Sequence, residues 1–500
     1  MKQNPKQKKQ KSKMSETIQR TQISANHWDL MQKAPQDMST QEMEYREYRP
    51  DVAIYSDAKT SYTIRFTDVN EWCLLSQAYI QVQGQLNKAD GTAYAAGDNV
   101  ALVNSGYSLF ERAQLLAGGS LIEEVDHCAQ AMVVKLLVES SDDYKRSTGS
   151  NMGFFPDTID DALATTALYT PTAGAAQGNY TAIVQAHNTT AQGGGGNGAA
   201  TGAAVTVLTA DARFDQQNQR NIGFTERKAI NITPGAQKLT SFMLPLRHLF
   251  GFCSVDKVTR GVDLQVRLTR AAMNDVIHIS NGVDPGKFSF TKLSLWVPIL
   301  KPSLAVAAQL ESQLAMSQIV HYDYLNWNCY KSDSAQTSQR TWRITTQSER
   351  PTYVFVLPQA TARDGNQERS SVIFDNAKVT EMSLRVNGKQ HPAEAFTCDF
   401  ATAGAEDHSR VYMALMAYMN KAYNFDTGGI VNYASFATLY PLFTFDLTSL
   451  DENVFASPIE LQLRATVGDV VNAYHFLAVV VSEKSVVLKV DSGRAVVVQK

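Results

Sequence analysis

The stretch GVDLQVRLTR, residues Gly261–Arg270, has a close copy in PIELQLRATV, residues Pro458–Val467. The five residues Asp263–Arg267 and the five residues Glu460–Arg464 agree in charge, polarity and approximate size at every step. Apolar and polar residues alternate in both, which is typical of a β-strand with one buried face. The repetition predicts that the chain contains two copies of one β-rich domain, provided that the surroundings of the two strands also match.

Two further motifs support this duplication. Phe110 begins FERAQL and Phe374 begins FDNAKV, and each motif lies just before a strand that ends at glycine. Pro245-Leu246 and Pro441-Leu442 precede the two Leu-Gln strands by nearly equal distances. The spacing between the two motifs is longer in the first half, by about the length of an Ala/Gly/Thr-rich segment and its flanks. We therefore predict tandem domains, of which the first carries a long insertion.

Strand patterns dominate both halves of the chain. About eight strands in each half, with small helices in long connections, predict an all-β protein of two tandem eight-stranded jelly rolls. The predicted helices cover Cys128–Glu139, 303–318, about 410–421 and 433–439, and one of the predicted strands covers 226–234.

These patterns divide the chain into four predicted parts. They are a basic, mostly disordered N-terminal arm over 1–47, a first roll over 48–302, a linker helix over 303–318 and a second roll over 319–500. The Ala/Gly/Thr-rich segment, at about 157–215, contains too few large apolar residues to form its own core. We therefore expect it to be an exposed inserted loop.

The overall composition excludes several classes of protein. With 44% hydrophobic residues, 19% charged residues and a net charge of −3, the chain is not a polycation built to wrap nucleic acid. The five cysteines are scattered, which predicts buried, reduced thiols and folding in an intracellular compartment. No apolar segment reaches the roughly 18 residues that a membrane helix needs, so we expect a soluble protein without membrane insertion.

Four stretches of the sequence resemble the double jelly-roll major capsid proteins of double-stranded DNA viruses, and most closely the polinton and adintovirus-like branch. The resemblance spans roughly residues 48–490 and is structural, without a catalytic signature. The stretches are NSGYSLFERAQLLAGGSLIEEVDH (104–127), LLVESSDDYKRSTG (136–149), RSSVIFDNAKVTEMSLRVNGKQHP (369–392) and ASFATLYPLFTFDLTSL (434–450), followed by the final paired strands.

This resemblance implies a structural protein that is not an enzyme and needs no cofactor or metal. Its homotrimers would form the pseudo-hexagonal capsomers of an icosahedral shell around a double-stranded DNA genome. The implied partners are further copies of the chain, penton and minor capsid proteins, and packaged DNA through non-specific contacts. The implied location is the virion, after synthesis in the host cytoplasm, with assembly there or in the nucleus.

The N-terminal arm is a candidate DNA-binding segment. It contains six lysines before the first acidic residue, interleaved with Gln, Asn and Ser and without an aromatic residue to stack on a base. This chemistry suits neutralisation of phosphates irrespective of base sequence. We predict an inward, genome-facing arm, the alternative being an outward or interface-tucked tail. Its lysines are Lys2, Lys6, Lys8, Lys9, Lys11 and Lys13.

Two other functions are compatible with a jelly roll. His321 and Asp323, with a later histidine such as His408 or His475, have the His-x-Asp…His order of a non-haem iron oxygenase. No Arg-x-Ser motif follows either later histidine, and a strand with a polar face explains the first two residues equally well. The other alternative is a host-domesticated jelly-roll scaffold that forms no virion.

Overall fold

The computed structural model describes residues 39–52, 55, 60–95, 97–162, 221–317, 319–344, 350–400, 406–423, 429–450, 459–491 and 494–499. Within these residues, no helix is long and apolar enough to cross a membrane.

Twelve of the described strands form the first roll. They are β1 (Thr40–Tyr48), β2 (Ser61–Arg65), β3 (Trp72–Leu74), β4 (Tyr79–Lys88), β5 (Val100–Leu102), β6 (Phe110–Ala117), β7 (Ser120–Asp126), β8 (Leu239–Pro245), β9 (Val258–Thr259), β10 (Leu264–Arg270), β11 (Ile277–Ile279) and β12 (Gly286–Pro302).

Nine described strands form the second roll. They are β13 (Ile319–Lys331), β14 (Gln339–Ile344), β15 (Arg350–Ala360), β16 (Val379–Val386), β17 (Lys389–Thr397), β18 (Phe443–Asp446), β19 (Leu461–Val467), β20 (Tyr474–Asp491) and β21 (Arg494–Gln499).

The two rolls have the same topology, which confirms the predicted double jelly roll. In the first roll one sheet contains the order β1-β12-β4-β8 and the other is β2-β10-β6-β7. In the second roll the corresponding orders are β13-β20-β15-β18 and β14-β19-β16-β17. Eight strands of each roll therefore have a counterpart at the same place in the other roll. Of the remaining described strands, β3, β9 and β21 extend these sheets, and β5 and β11 form a separate two-stranded sheet.

The repeated Leu-Gln strands occupy equivalent positions in the two rolls. They are β10 and β19, and each is an inner strand of its four-stranded sheet. Leu264 lies opposite Ala117, the last residue before a two-residue glycine turn, and Leu461 lies opposite Val386, which precedes the Asn387-Gly388 turn. The alternate leucine and valine side chains are buried in both strands, as the period-2 pattern predicts. The duplication inferred from these strands is confirmed.

The two supporting motifs are not equivalent in the structure. Phe110 is the first residue of β6, whereas Phe374 lies five residues before β16 begins at Val379. Pro245 ends β8, whereas Pro441 comes before β18. Both resemblances are therefore out of register, because a short apolar-polar motif recurs easily in any β-rich chain. The difference in length between the halves lies in the connection from β7 to β8, which contains the Ala/Gly/Thr-rich segment and is longer than the connection from β17 to β18.

Five helices of six or more residues lie in the described connections. They are α1 (Cys128–Glu139), α2 (Ile222–Asn231), α3 (Leu304–Ser317), α4 (Ser409–Tyr423) and α5 (Tyr433–Thr438). Shorter helical turns cover Leu75–Gln77, Gly106–Leu109, Asp142–Tyr144, Lys145–Gly149, Leu246–Leu249, Phe252–Ser254, Met273–Val276 and Thr361–Arg363. Four of the five longer helices were predicted from the sequence.

Helix α2 replaces the strand predicted over 226–234. The Asn221 side chain caps this helix by accepting a hydrogen bond from the Phe224 amide. Phe224, Arg227 and Asn231 are buried at helical spacing, so the burial of one helix face outweighs the β-branched residues of the segment.

Strand β1 lies inside the segment that was predicted to be the N-terminal arm. It pairs antiparallel with the end of β12, from Thr40 opposite Pro302 to Tyr48 opposite Leu295. Its sequence TQEMEYREY is rich in charged residues, so the strand is specified by pairing with β12 more than by its own propensity. The arm proper therefore ends before residue 40, and residues 1–38 with all six of its lysines lie outside the described residues.

The two ends of the predicted insertion meet at a hydrogen-bonded neck. Residues 163–220 lie outside the described residues, but the segment before them is not an exposed loop, since Asp157 and Ala162 are buried. The Asn221 Nδ2 atom donates to the Asp157 carboxylate at 2.8 Å and to the Asp161 carbonyl at 3.2 Å. Asp157 also forms a buried ion pair with Arg227 of α2. The neck therefore holds together the residues on either side of segment 163–220.

We expect residues 163–220 to be dispensable for folding. Replacing them with a short Gly/Ser linker should change the melting temperature by less than ~2 °C, because the neck already brings the ends together. Thermal unfolding followed by circular dichroism measures this. Asn221→Ala in the full-length chain is the control and should lower the melting temperature, since it removes the helix cap and the neck. An insoluble shortened chain would contradict the expectation.

Candidate functional site at the junction of the two rolls

The residues of the predicted oxygenase site do not come together. His321 and Asp323 are exposed on β13, where His321 lies opposite Val487 of β20. His475 is also on β20, twelve residues before Val487 and opposite Gln359. Twelve residues of a strand span roughly 40 Å, so His475 is far from His321. His408 is buried, and the centroid of its ring lies 4.2 Å from the centroid of the Tyr433 ring. In the described part of the chain, no group of three His, Cys, Asp or Glu side chains could hold a metal.

The five cysteines are buried and unpaired, as the sequence predicts. Burial raises the pKa of the Cys73 and Cys398 thiols to about 12, so these side chains behave as apolar core residues.

A set of interactions that involves buried charged and polar groups lies where the two rolls meet. On the first roll, β7, helix α1 and the turns that follow β8 form a surface against which β13 of the second roll packs. Phe252 lies in this surface, and its ring centroid is 4.8 Å from that of Tyr322 and 6.0 Å from that of Tyr324. One continuous hydrophobic cluster extends through both rolls by way of these contacts.

The backbones of the two rolls approach each other at Gly251. A Cβ atom built on this glycine would lie 2.0 Å from the Leu325 carbonyl oxygen and 2.7 Å from the Tyr324 ring. Gly251 has φ −62° and ψ −36°, an ordinary helical conformation that any residue adopts. The glycine is therefore required by the close approach of β13 and not by the local backbone.

A buried carboxylate holds the turn that contains Gly251. The Glu123 side chain of β7 accepts hydrogen bonds from the Gly251 amide at 2.8 Å and from the Phe252 amide at 3.0 Å. Burial raises the pKa of Glu123 to about 7, while the two amide hydrogen bonds and the charge of Lys135 favour the ionised form. The carboxylate supplies partners for two amides that would otherwise be buried without them.

Lysine and asparagine side chains connect α1 and β7 to β13. The Lys135 ammonium donates to the His248 carbonyl at 2.9 Å and lies 5.5 Å from the centre of the Trp327 ring, so a charge from the first roll rests on an aromatic ring of the second. The Asp126 amide donates to the Asn328 side-chain oxygen at 3.0 Å. These contacts give polar groups of the apolar interface a defined partner.

Arg363 forms a second polar connection between the rolls. Its guanidinium is buried and bonds Asp375 of its own roll and both carboxylate oxygens of Asp160 of the first roll, the latter at 2.7 and 2.8 Å. Burial disfavours the Asp160 carboxylate, but the hydrogen bonds from Arg363 outweigh this and lower its pKa. A fork of two parallel hydrogen bonds fixes direction as well as distance, so this pair orients the two rolls.

Backbone groups complete the connection on this side. The Gln367 side chain accepts from the Gly286 amide at 2.8 Å and donates to the Gly286 carbonyl at 3.1 Å, while the Ile279 amide donates to the Gln367 carbonyl at 2.8 Å. The Ser371 hydroxyl donates to the Asp275 carbonyl at 2.6 Å. With directional bonds at both ends and an apolar centre, the junction can hold the rolls in one orientation.

Sequence reasoning did not find these junction residues. Glu123 looks like an ordinary outward-facing acid in the alternating pattern of a strand, and Arg363 precedes an Asp-Gly turn that predicts exposure. Gly251 was the one available signal, since it stands between two phenylalanines in a sequence with no turn-forming partner. A glycine in an aromatic stretch indicates a close backbone approach, but it does not identify the strand that approaches.

We expect Gly251→Ala to destabilise the protein by several kcal/mol, because the methyl group has to displace the backbone of β13. The matched control is Gly97→Ala, where an added Cβ meets no atom within 4 Å. Urea unfolding of both variants measures the difference in the free energy of unfolding. Equal stabilities of the two variants would show that the rolls do not pack as closely as described.

The Glu123 carboxyl makes a pH-dependent contribution to stability. The pKa of Glu123 is raised from 4.5 to about 7 in the folded protein. As the pH rises from 4.5 to 7, the carboxyl group therefore ionises in the unfolded chain before it ionises in the folded one, and this favours unfolding. Compared with Glu123→Gln, the unmodified chain should therefore lose about 3 kcal/mol of stability between pH 4.5 and 7, and no more above pH 7. Urea unfolding at several pH values measures the difference. A difference independent of pH would contradict the raised pKa.

Comparison with known proteins agrees with this architecture. A family model described as a double jelly roll-like domain matches residues 204–481. No curated protein matches the chain. Among solved structures, a chain of the Sputnik virophage is 11% identical with a TM-score of 0.55, and the match covers 95% of this chain and 92% of that one.

Two further solved structures match at lower scores. The mavirus major capsid protein is 10% identical with a TM-score of 0.49, over 94% of this chain and 92% of that one. The Faustovirus major capsid protein is 9% identical with a TM-score of 0.48, over 93% of each chain. At such identities the Sputnik match bears on the fold alone. Because the family model covers more than half of the sequence and both rolls have its topology, the chain belongs to the double jelly roll-like domain family.

Proposed function

We propose that this chain is the major capsid protein of a virus, and that its work is to build the shell. The observation that carries the proposal is the junction, which joins two equivalent rolls into one building unit through buried glycine, carboxylate and arginine contacts. The chain of the Sputnik virophage that shares the fold is part of a virus structure, which supports the same role here.

The asymmetry of the junction supports self-association into trimers. The first roll contributes β7, α1 and the turns after β8, whereas the second contributes its first strand, β13. Such a contact joins two different surfaces, and repeating it from the second roll of one copy to the first roll of the next produces a ring when the rotation closes. Three copies would present six similar lobes, the shape of a pseudo-hexagonal capsomer in an icosahedral shell.

The remaining parts of the proposal follow from this role. The shell would enclose double-stranded DNA, and the lysines of the N-terminal arm would neutralise its phosphates from the inside. Penton and minor capsid proteins would be further partners, and the virion would be the location. Trypsin that cleaves residues 1–13 on intact particles would contradict an inward arm.

We expect the purified protein to form a trimer of about 165 kDa, three times the chain mass of 55.1 kDa, in size-exclusion chromatography with light scattering. Obligate interfaces of this kind bury more than ~2,000 Å², so the trimer should persist on dilution to micromolar concentrations. Electron microscopy then distinguishes a capsid protein, which assembles into closed shells in its host, from a scaffold that stops at the trimer. A protein that stays monomeric at high concentration would contradict the proposal.

A further inference from the structure

Helix α4 has an apolar face that nothing in the described structure covers. From Val411 to Met419 its sequence is VYMALMAYM, with no charged residue. Val411, Leu415 and Met419 are buried against the second roll, whereas Met413 on the other side is 62% exposed. A helix that is apolar on all sides is normally buried on all sides. The exposed side of α4 is therefore a surface that needs a partner.

Helix α1 shows how the corresponding surface of the first roll is covered. Both helices follow the second strand of the equivalent hairpins, α1 after β7 and α4 after β17. Helix α1 is also apolar, and ten of its twelve residues are buried. It lies in the junction, where it contacts β13, the first strand of the next roll.

An open cavity of about 300 Å³ lies beside α4. Its walls are formed by Phe396 of β17, Tyr418 of α4 and Phe445 of β18, together with the Ser449 segment that follows β18. In the first roll, β13 packs against the corresponding elements, which are β7, α1 and the turns after β8. The cavity is therefore placed on the second roll where the junction is placed on the first. His391 also lines the cavity, and its Nε2 atom is buried without a hydrogen-bond partner in the described residues.

We infer that β1 of a second copy of this chain covers the α4 face and closes this cavity. Strand β1 is the counterpart of β13, since β1 pairs with β12 as β13 pairs with β20. It exposes Met43 and Tyr45, which are 43% and 38% accessible, whereas Tyr322 and Tyr324 of β13 are buried in the junction. Each roll thus offers its first strand to one neighbour and its helix face to another.

This inference rests on the proposed self-association and specifies β1 and the α4 face as the two surfaces that contact each other. The α4 face belongs to the second roll and β1 to the first, so every copy has one donor surface and one acceptor surface. Since the contact joins two different surfaces, repeating it from copy to copy gives a closed ring when the rotation closes and an open filament when it does not. The within-chain junction and the between-chain contact would then alternate around one ring of six rolls.

Two charge substitutions test the inference. Met413→Asp alters the acceptor surface and Met43→Asp the donor surface, and both side chains are exposed enough to leave the single chain folded. Each variant should lose the trimer peak in size-exclusion chromatography with light scattering, at an unchanged circular dichroism spectrum. The matched control, Val471→Asp, changes an apolar residue that is 80% exposed elsewhere and should remain a trimer.

Mixing the two variants separates the possible occupants of the α4 face. The donor surface of the Met413→Asp chain and the acceptor surface of the Met43→Asp chain are intact, so an equimolar mixture should give a two-chain species of about 110 kDa and no trimer. A trimer from either variant alone, or a mixture that stays monomeric, would overturn the assignment. Loss of the trimer in Met413→Asp but not in Met43→Asp would identify another occupant, such as the N-terminal arm. An unmodified protein that is itself monomeric would refute the proposed function instead.

Discussion

The contact of the Gly251 turn with β13 is the constraint on which the arrangement of the molecule depends. Two jelly rolls connected by a single helix could adopt many relative orientations. Here the Glu123 carboxylate holds the Gly251 and Phe252 amides, and the turn so held is the surface on which Tyr322, Tyr324 and the Leu325 backbone pack. The Arg363 bridge to Asp160 fixes the same orientation from a second point. Two separated directional contacts around an apolar centre leave little freedom for rotation.

A buried ionisable group at such a place has a cost and a use. The burial of Glu123 disfavours its charged form, as its raised pKa indicates. In return, the carboxylate satisfies two backbone amides in a turn that carries no regular hydrogen bonds of its own at these positions. Buried polar groups are also paired at the neck of the insertion. There the Asn221 side-chain amide donates to the Asp157 carboxylate and to the Asp161 carbonyl, which would otherwise lack these partners. Polar groups in this core specify geometry, while the apolar cluster supplies most of the stabilisation.

The sequence predicted the fold better than it predicted the junction. The strands β10 and β19 were recognised because their inward residues alternate and their sequences are nearly the same, and both properties are local. Helix α2 was missed because the cap at Asn221 and the burial of Phe224 decide it, and the sequence pattern of Ile and Thr residues pointed to a strand. The Phe110 and Phe374 motifs matched by chance, since they lie at different places relative to their turns. Glu123 and Arg363 act on residues far away in the chain, so no local pattern distinguishes them from ordinary surface residues. The two phenylalanines that flank Gly251 indicate a close backbone approach but do not identify β13 as the strand that approaches.

Hydrogen exchange of the backbone amides tests most directly whether the junction makes the two rolls one rigid body. The amides of Gly251 and Phe252 should exchange as slowly as those in the centres of β12 and β20, because they are bonded to a buried carboxylate and open only when the rolls separate. Mass spectrometry of peptides that contain residues 246–254 provides the measurement. Slow exchange that matches the core strands would support the account. Fast exchange at these amides while both rolls stay protected would show that the junction opens in the folded protein, and would contradict it.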